Sequence, residues 1–355
     1  MKILVMIMAM LLVIPAAAQR RSATTTPAIP SVTEGIIYSL PRTGIRVHVK
    51  ARQTTIAPGP YATFAEQLLG IRDAKTQAQT IWEFEDVRFE TFAEPDPAQT
   101  YKATGGAAFI QLTQSGILAG INSVTDLKSC ISASSNSFTT TNKTPELTFN
   151  YLIDNPALTG RTSLDQRAVQ AANRILRARN LRFDIVSGQL DEFHPDGEAY
   201  EKSLEELHNI EAELLSLFIG KSATEEYTFS FDYIAQSSVR GEVIFRFDEN
   251  RGFLPKSDLS GKPVMIDVER DEALAAKQTA VKGGQPINPG FTGVYYRQPG
   301  TADIRISREF TVVATGRATI AQFGEVSAIP RELLDGTYSI ELHPETGAIK
   351  SIQKK

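Results

Sequence analysis

The stretch Glu225-Glu226-Tyr227-Thr228-Phe229-Ser230-Phe231-Asp232-Tyr233 decides the fold class. Successive side chains of an extended chain point to opposite faces, so Tyr227, Phe229, Phe231 and Tyr233 share one face and Thr228, Ser230 and Asp232 the other. Val243, Phe245 and Phe247 alternate with Ile244, Arg246 and Asp248 in the same way, and aromatic residues suit a pleated, half-buried surface. Val264, Ile266 and Val268 predict a further strand. A Gly-Gly-Gln-Pro turn falls at 283–286, and strands follow at 293–297, 302–306, 311–318 and 338–342.

Upstream, Ile45, Val47, Val49 and Ala51 alternate with Arg46, His48, Lys50 and Arg52, which predicts a strand with one apolar and one basic, solvated face. Pro58-Gly59-Pro60 stops it, and Tyr61, Phe64, Ala65, Leu68 and Leu69 recur at helical spacing up to Gly70. Strands are expected at 81–92, which carries Trp82, at 101–111 and at 116–122. The Ser/Thr/Asn-rich run 129–144 reads as a surface loop that includes Cys130.

Helix is confined to the centre. Ser163 with Gln166 three residues on forms a capping-box pattern, and Leu164, Ala168, Ala171, Ile175, Ala178, Leu181 and Ile185 follow at steps of three and four until Gly188. A second helix is predicted from near Asp196 to Gly220, with Tyr200, Leu204, Leu207, Ile210, Leu214 and Leu217 on one face. The first is rich in Arg, the second in Glu. An antiparallel pair would neutralise itself, which accounts for the Arg residues without an anion site.

These patterns predict an α+β, mostly β protein, with antiparallel sandwich- or barrel-like lobes and a central antiparallel helical hairpin. The segments are a signal peptide (1–18), a flexible leader (19–35), an N-terminal β-rich lobe (36–160), the helical hairpin (161–221) and a C-terminal β-rich lobe (222–355). Lys2, the apolar run from Ile3 to Ile14, and Pro15-Ala16-Ala17-Ala18 have the three parts of a secretory signal, and the run is too short to span a bilayer. The expected location is the periplasm or cell exterior, with no membrane span once the signal is removed.

The balance of 37 basic against 41 acidic residues lacks the cationic excess that phosphate-backbone binding requires, so nucleic acid is not an expected partner. A single cysteine excludes an intrachain disulfide and a Cys-based zinc site. No nucleophile elbow, phosphate loop or dinucleotide fingerprint is present, so no cofactor is expected. His48, His194, His208 and His343 never fall at a metal-ligand spacing, so no metal site is expected either, and all four read as structural. Asp248, Asn250 and Gly252 echo part of a calcium loop but lack its later Glu and read as a turn. His343-Pro344-Glu345-Thr346-Gly347 echoes a sortase signal without its leading pair or anchor, and the end of the chain reads as a closing β-hairpin. Trp82, Tyr295 and Tyr296 are the candidate ligand contacts, as aromatic rings able to stack on sugars. An Asp/Glu pair for glycoside hydrolysis can always be imagined among so many carboxylates and has no sequence signature.

Ile37-Tyr38-Ser39-Leu40-Pro41-Arg42-Thr43, Ala57-Pro58-Gly59-Pro60-Tyr61-Ala62 leading into Leu68-Leu69-Gly70-Ile71, Arg182-Phe183-Asp184-Ile185, Leu217-Phe218-Ile219-Gly220 and Gly293-Val294-Tyr295-Tyr296-Arg297 together resemble a secreted domain-of-unknown-function family of Bacteroides and related gut bacteria. The resemblance covers nearly all of the chain after the signal and implies secretion and one continuous architecture. It transfers no catalytic residue, ligand or partner. The expected function is therefore that of a non-enzymatic exported envelope protein that binds an envelope protein or a glycan. The alternative is a periplasmic or extracellular glycan hydrolase.

Overall fold

The computed structural model describes residues 35–103, 109–123, 138–140, 147–149, 162–189, 197–272 and 293–355. The signal segment, the leader up to residue 34, Cys130, His194 and the 283–286 turn lie outside them. The described residues form an α+β, mostly β fold of three antiparallel sheets.

Sheet I is built on β1 (Ile36–Ala57), which pairs along most of its length with β2 (Gln79–Ala103) on one flank and with β6 (Lys221–Tyr233) on the other; β5 (Phe138–Thr140) lies beyond β6. Sheet II has the order β11-β10-β9-β7-β8, from β7 (Val239–Asp248), β8 (Gly252–Leu254), β9 (Lys262–Arg270), β10 (Tyr295–Arg308) and β11 (Thr311–Ala328). Sheet III joins β3 (Ile110–Leu112) and β4 (Leu118–Ile121) to the closing hairpin of β12 (Tyr338–Leu342) and β13 (Ile349–Lys354). Strands from 36–160 and 222–355 thus share sheets I and III.

The alternation read from β1 becomes the sandwich core. Ile45, Val47, Val49 and Ala51 are fully buried against Phe245, Phe247, Val264, Ile266, Val268, Ile304 and Ile306 of sheet II. Removing each such aliphatic side chain from water stabilises by roughly 1.5–3 kcal/mol. The aromatic face of β6 supplies the rest, with Phe231 stacked on Phe245 at 4.1 Å between ring centroids. A second core lies under sheet III, where Tyr38 and Leu40 meet Leu118, Ile121, Ile340 and Leu342. Burial pushes the Tyr38 phenol well above its ordinary pKa.

Several expected short strands are halves of longer ones. The runs 293–297 and 302–306 are both β10, and 81–92 continues through Pro95 and Pro97 to Ala103. Proline marks bulges within these long strands. Pro41 faces Pro95 where the β1–β2 register shifts, and Pro299 sits at the shift between Gln298 and Gly300. Beyond these bulges the same strands serve the second core, so one strand lines two cores.

The helices α1 (Ala65–Leu69), α2 (Leu164–Ser187) and α3 (Gly197–Ile219) form the third core around Ile175, Leu214, Leu217 and Phe218. The capping box at Ser163 and Gln166 is present, and Gly188 ends α2 with left-handed backbone. Charge pairing between the two long helices concentrates on Glu211, which meets Arg179 at 2.6 Å and Arg182 at 2.9 Å. Leu164 and Leu181, expected on the buried stripe, are exposed, because the buried stretch runs only from Ala168 to Ala178 on α2 and over the last turns of α3, at Leu214, Leu217 and Phe218.

Candidate functional site

Strands β2 and β11 are the edges of sheets I and II. They meet at Phe89 and Gly316, where a Cβ on the glycine would lie 2.6 Å from the phenyl ring, and the seam opens on either side of this contact. One opening, of about 500 Å³, lies between Phe84–Val87 and the β10–β11 hairpin. The other, of about 550 Å³, is lined by Thr43 and Arg46 of β1, Glu90 to Ala93 of β2, Arg317 to Thr319 of β11, and Glu345 with Thr346 from the β12–β13 turn.

The second cleft draws on all three sheets, and each wall is held by a traceable contact. Thr43 is fixed by Gln322, whose side-chain oxygen accepts from the Thr43 amide at 2.8 Å while its nitrogen donates to the carbonyls of Thr43 and Ala235, each at 2.8 Å. The turn is closed by the amides of Thr346 and Gly347, which donate to the His343 carbonyl, so the sortase-like run forms the hairpin that brings Glu345 and Thr346 to the cleft. Phe92 lies across its cross-strand partner Gly44, where a Cβ would meet the ring, and the Arg46 guanidinium sits 4.7 Å from the ring centroid. Arg46 also makes a two-pronged bond to Asp232, at 2.7 and 2.8 Å, which raises its pKa.

Glu90 connects the cleft to the outward face of sheet I. Its carboxylate lies 3.2 Å from His48 Nε2, and His48 Nδ1 lies 2.8 Å from Ser230 Oγ. Serine, histidine and carboxylate in hydrogen-bonded series are the components of an activated nucleophile. Here they lack the rest of the machinery. Ser230 is only 8% exposed in the middle of β6, paired with His48 of β1, with no turn or helix N-terminus beside it to aim two amides at an oxyanion. The series instead pins three adjacent strands together and fixes Glu90 at the cleft rim. His48 was expected to point outward, and it does lie on the outward face, but bonded on both nitrogens.

The sequence-derived contacts do not converge. Trp82 packs at the sandwich core on Tyr227 (5.1 Å between centroids) and Phe253 (6.2 Å). Tyr295 is 6% exposed, lies 4.7 Å from the Tyr101 ring and donates its backbone amide to the Tyr38 hydroxyl. Tyr296 packs at the edge of the second core and accepts a bond from Gln298. The calcium-like run is a turn in which Asp248 accepts from the amides of Asn250 and Arg251. Among the described residues no three His, Cys, Asp or Glu side chains are grouped so that they could hold a metal ion. Arg46, Glu90, Phe92, Arg317 and Glu345 escaped the sequence reading because long-range pairing alone assembles them; only the basic alternation of β1 hinted at one wall.

The profile of a domain of unknown function, DUF4831, matches residues 34–350. The chain belongs to this family. The match spans all three sheets and both long helices, so the DUF4831 domain is the entire sandwich with its helical hairpin. No curated protein matches the chain, and no solved structure does.

Proposed function

We propose that this DUF4831 protein is an exported, non-enzymatic binding protein of the bacterial envelope, and that the three-sheet cleft takes a hydroxyl-rich glycan. The observation that carries the reading is the lining of that cleft. Thr91, Thr319 and Thr346 offer hydroxyls, Glu90 and Glu345 accept, the guanidinium N–H groups that Arg46 and Arg317 do not spend on Asp232 and Asp271 donate, and Phe92 supplies an aromatic patch. A few fixed polar groups around an aromatic surface suit a sugar better than an apolar ligand. Export is supported by the Lys2–Ala18 signal pattern.

A second reading is favoured by one feature: Glu90 and Glu345 face the same cleft, as the two carboxylates of a glycoside hydrolase must. Against it, the Glu90 side chain is 60% exposed and Glu345 stands on an exposed turn, whereas a glycosidase acid is a carboxyl shielded from water. A thermal-shift screen against glycans and peptidoglycan fragments tests both readings, since a ligand of the native state raises the melting temperature. The binding reading expects a saturable shift with one glycan class, lost in Arg317→Ala, without release of reducing ends. Glycan cleavage abolished by Glu90→Gln or Glu345→Gln would establish the hydrolase instead, and no shift with any member would sink both.

A further inference from the structure

The charged side chains that line the three-sheet cleft are two cations, Arg46 and Arg317, and two carboxylates, Glu90 and Glu345. Counted alone they balance. Both cations, however, are held by carboxylates from beyond the lining. Arg46 gives two bonds to Asp232, at 2.7 and 2.8 Å, and its side chain is only 11% exposed. Arg317 pairs with Asp271, which directly follows β9. Arg46 also feels the charge of Glu90, so that one guanidinium faces two carboxylates.

The carboxylates of the lining have no such counterweight. Glu345 stands on the exposed β12–β13 turn, and among the described residues it has no ion-pair partner. Glu90 is bonded to Nε2 of His48, a ring that carries charge only when protonated. Nearby cations are committed elsewhere: Arg42 pairs with Glu94, Arg88 pairs with Asp86, and Lys50 faces Asp86 across the strands, on the wall of the other cleft. Two cations and four carboxylates therefore meet at this cleft, and the surplus negative charge rests on Glu90 and Glu345. A concave site of one sign between low-dielectric walls concentrates its potential on what enters it.

We propose that the cleft selects glycans that carry a free amino group, whose ammonium is drawn to Glu90 and Glu345, and turns away glycans that carry carboxylate or phosphate. This rests on the glycan reading above and adds the charge class of the sugar. A lysine side chain would bring the same ammonium but no hydroxyls for Thr91, Thr319 and Thr346, so a sugar uses more of the lining than a basic peptide does. Both carboxylates reach water, which keeps each pairing modest. The amino sugar is expected to bind about three- to tenfold more tightly than its N-acetylated counterpart at low ionic strength, with the preference fading as salt screens it.

The test is calorimetric titration of the full chain with glucosamine oligosaccharides, with the N-acetylated forms and with galacturonate oligosaccharides of equal length, at about 0.02 and about 0.5 M salt. At low salt the amino sugar should bind most tightly and galacturonate least. Glu345→Gln should cut the amino preference several-fold while leaving the N-acetylated sugar bound as before and the unliganded melting temperature unchanged, because backbone amides close that turn. Asp271→Asn releases Arg317 and should strengthen galacturonate binding. No binding of any of the three sugars overturns the glycan reading and this one with it. Equal binding of the amino and N-acetylated sugars, tighter binding of galacturonate, or a preference untouched by Glu345→Gln leaves the glycan reading standing and overturns the charge selection. Tighter binding of oligolysine than of the amino sugar makes the occupant a basic peptide and overturns it as well.

Discussion

Replacing Arg297 by Met should be among the most damaging single changes in this protein. Arg297 belongs to β10 of sheet II, and its guanidinium donates to the Pro41 carbonyl at 2.9 Å and to Asp96 at 3.0 Å, both in sheet I. Its own backbone amide donates to the Gly347 carbonyl in the turn of sheet III, at 3.2 Å. One residue therefore joins all three sheets. The Arg297 and Asp96 side chains are only 5% and 13% exposed. Methionine fills a similar volume but leaves Asp96 with the Ala98 amide as its remaining bond, at 3.0 Å, and the Pro41 carbonyl without its donor. Breaking a buried ion pair from one side costs about 3–5 kcal/mol, which already includes the stranded carboxylate.

Urea unfolding followed by the fluorescence of Trp82, the single tryptophan, measures this loss. Asp96→Asn alone should cost less, because the guanidinium keeps Pro41. The double variant Arg297→Met with Asp96→Asn should fall short of the sum of the singles by at least about 1 kcal/mol, since neither partner then leaves a charge behind. A loss under about 1 kcal/mol for Arg297→Met, or strict additivity in the cycle, would refute the reasoning.

Two further outcomes follow from the geometry. Tyr227 donates a short hydrogen bond to Glu225, which with partial burial pushes its pKa up to about 12, and burial raises Tyr38 further. Both phenols are raised, so their neutral forms stabilise the fold fully below the ordinary tyrosine range, and that contribution is lost as pH climbs from about 10 through the folded values. Absorbance titration should show a late-ionising class that shrinks in Tyr227→Phe; ionisation of every tyrosine near pH 10 in the folded protein would contradict it. Ser230, held under His48 without oxyanion donors, should stay unmodified by a fluorophosphonate in mass spectrometry. A Ser230 adduct would revive acyl-transfer chemistry on this face.

The periodic parts of the fold were legible. Alternation gave the buried faces of β1, β6, β7 and β9, and a capping box with two glycine stops bounded α2 and the end of α3, because these signals are local. What the sequence withheld is long-range. Prolines 41, 95 and 299 carry the marks of turns, yet each sits at a bulge inside or between long strands, a distinction only the partner strand makes. Tyr295 and Trp82 were candidates for ligand contacts because aromatic residues are equally at home in cores and at ligands, and their packing on Tyr101 and Phe253 is long-range. Glu345 and Phe92 are more than two hundred residues apart, and no local pattern places them on one cleft.

The seam also explains why clefts with charged walls gather there. An edge strand offers unpaired amides and carbonyls to any other strand, and charged side chains are a common protection against that. Along β2 the run Glu83, Glu85, Asp86, Arg88 and Glu90 provides such charge. Had β2 and β11 paired, the sandwich would have closed on that side and these side chains would have faced only solvent. The contact of Phe89 with Gly316 instead brings the edges together at one point and lets them diverge on both sides, so charges that guard an edge also wall two clefts. Each cleft then takes its character from what caps it: a polar turn carrying Glu345 and Thr346 on one side, the β10–β11 hairpin with its exposed Phe310 on the other. A side chain larger than hydrogen at position 316 would press on the Phe89 ring, so the point at which the two edges meet depends on a single glycine.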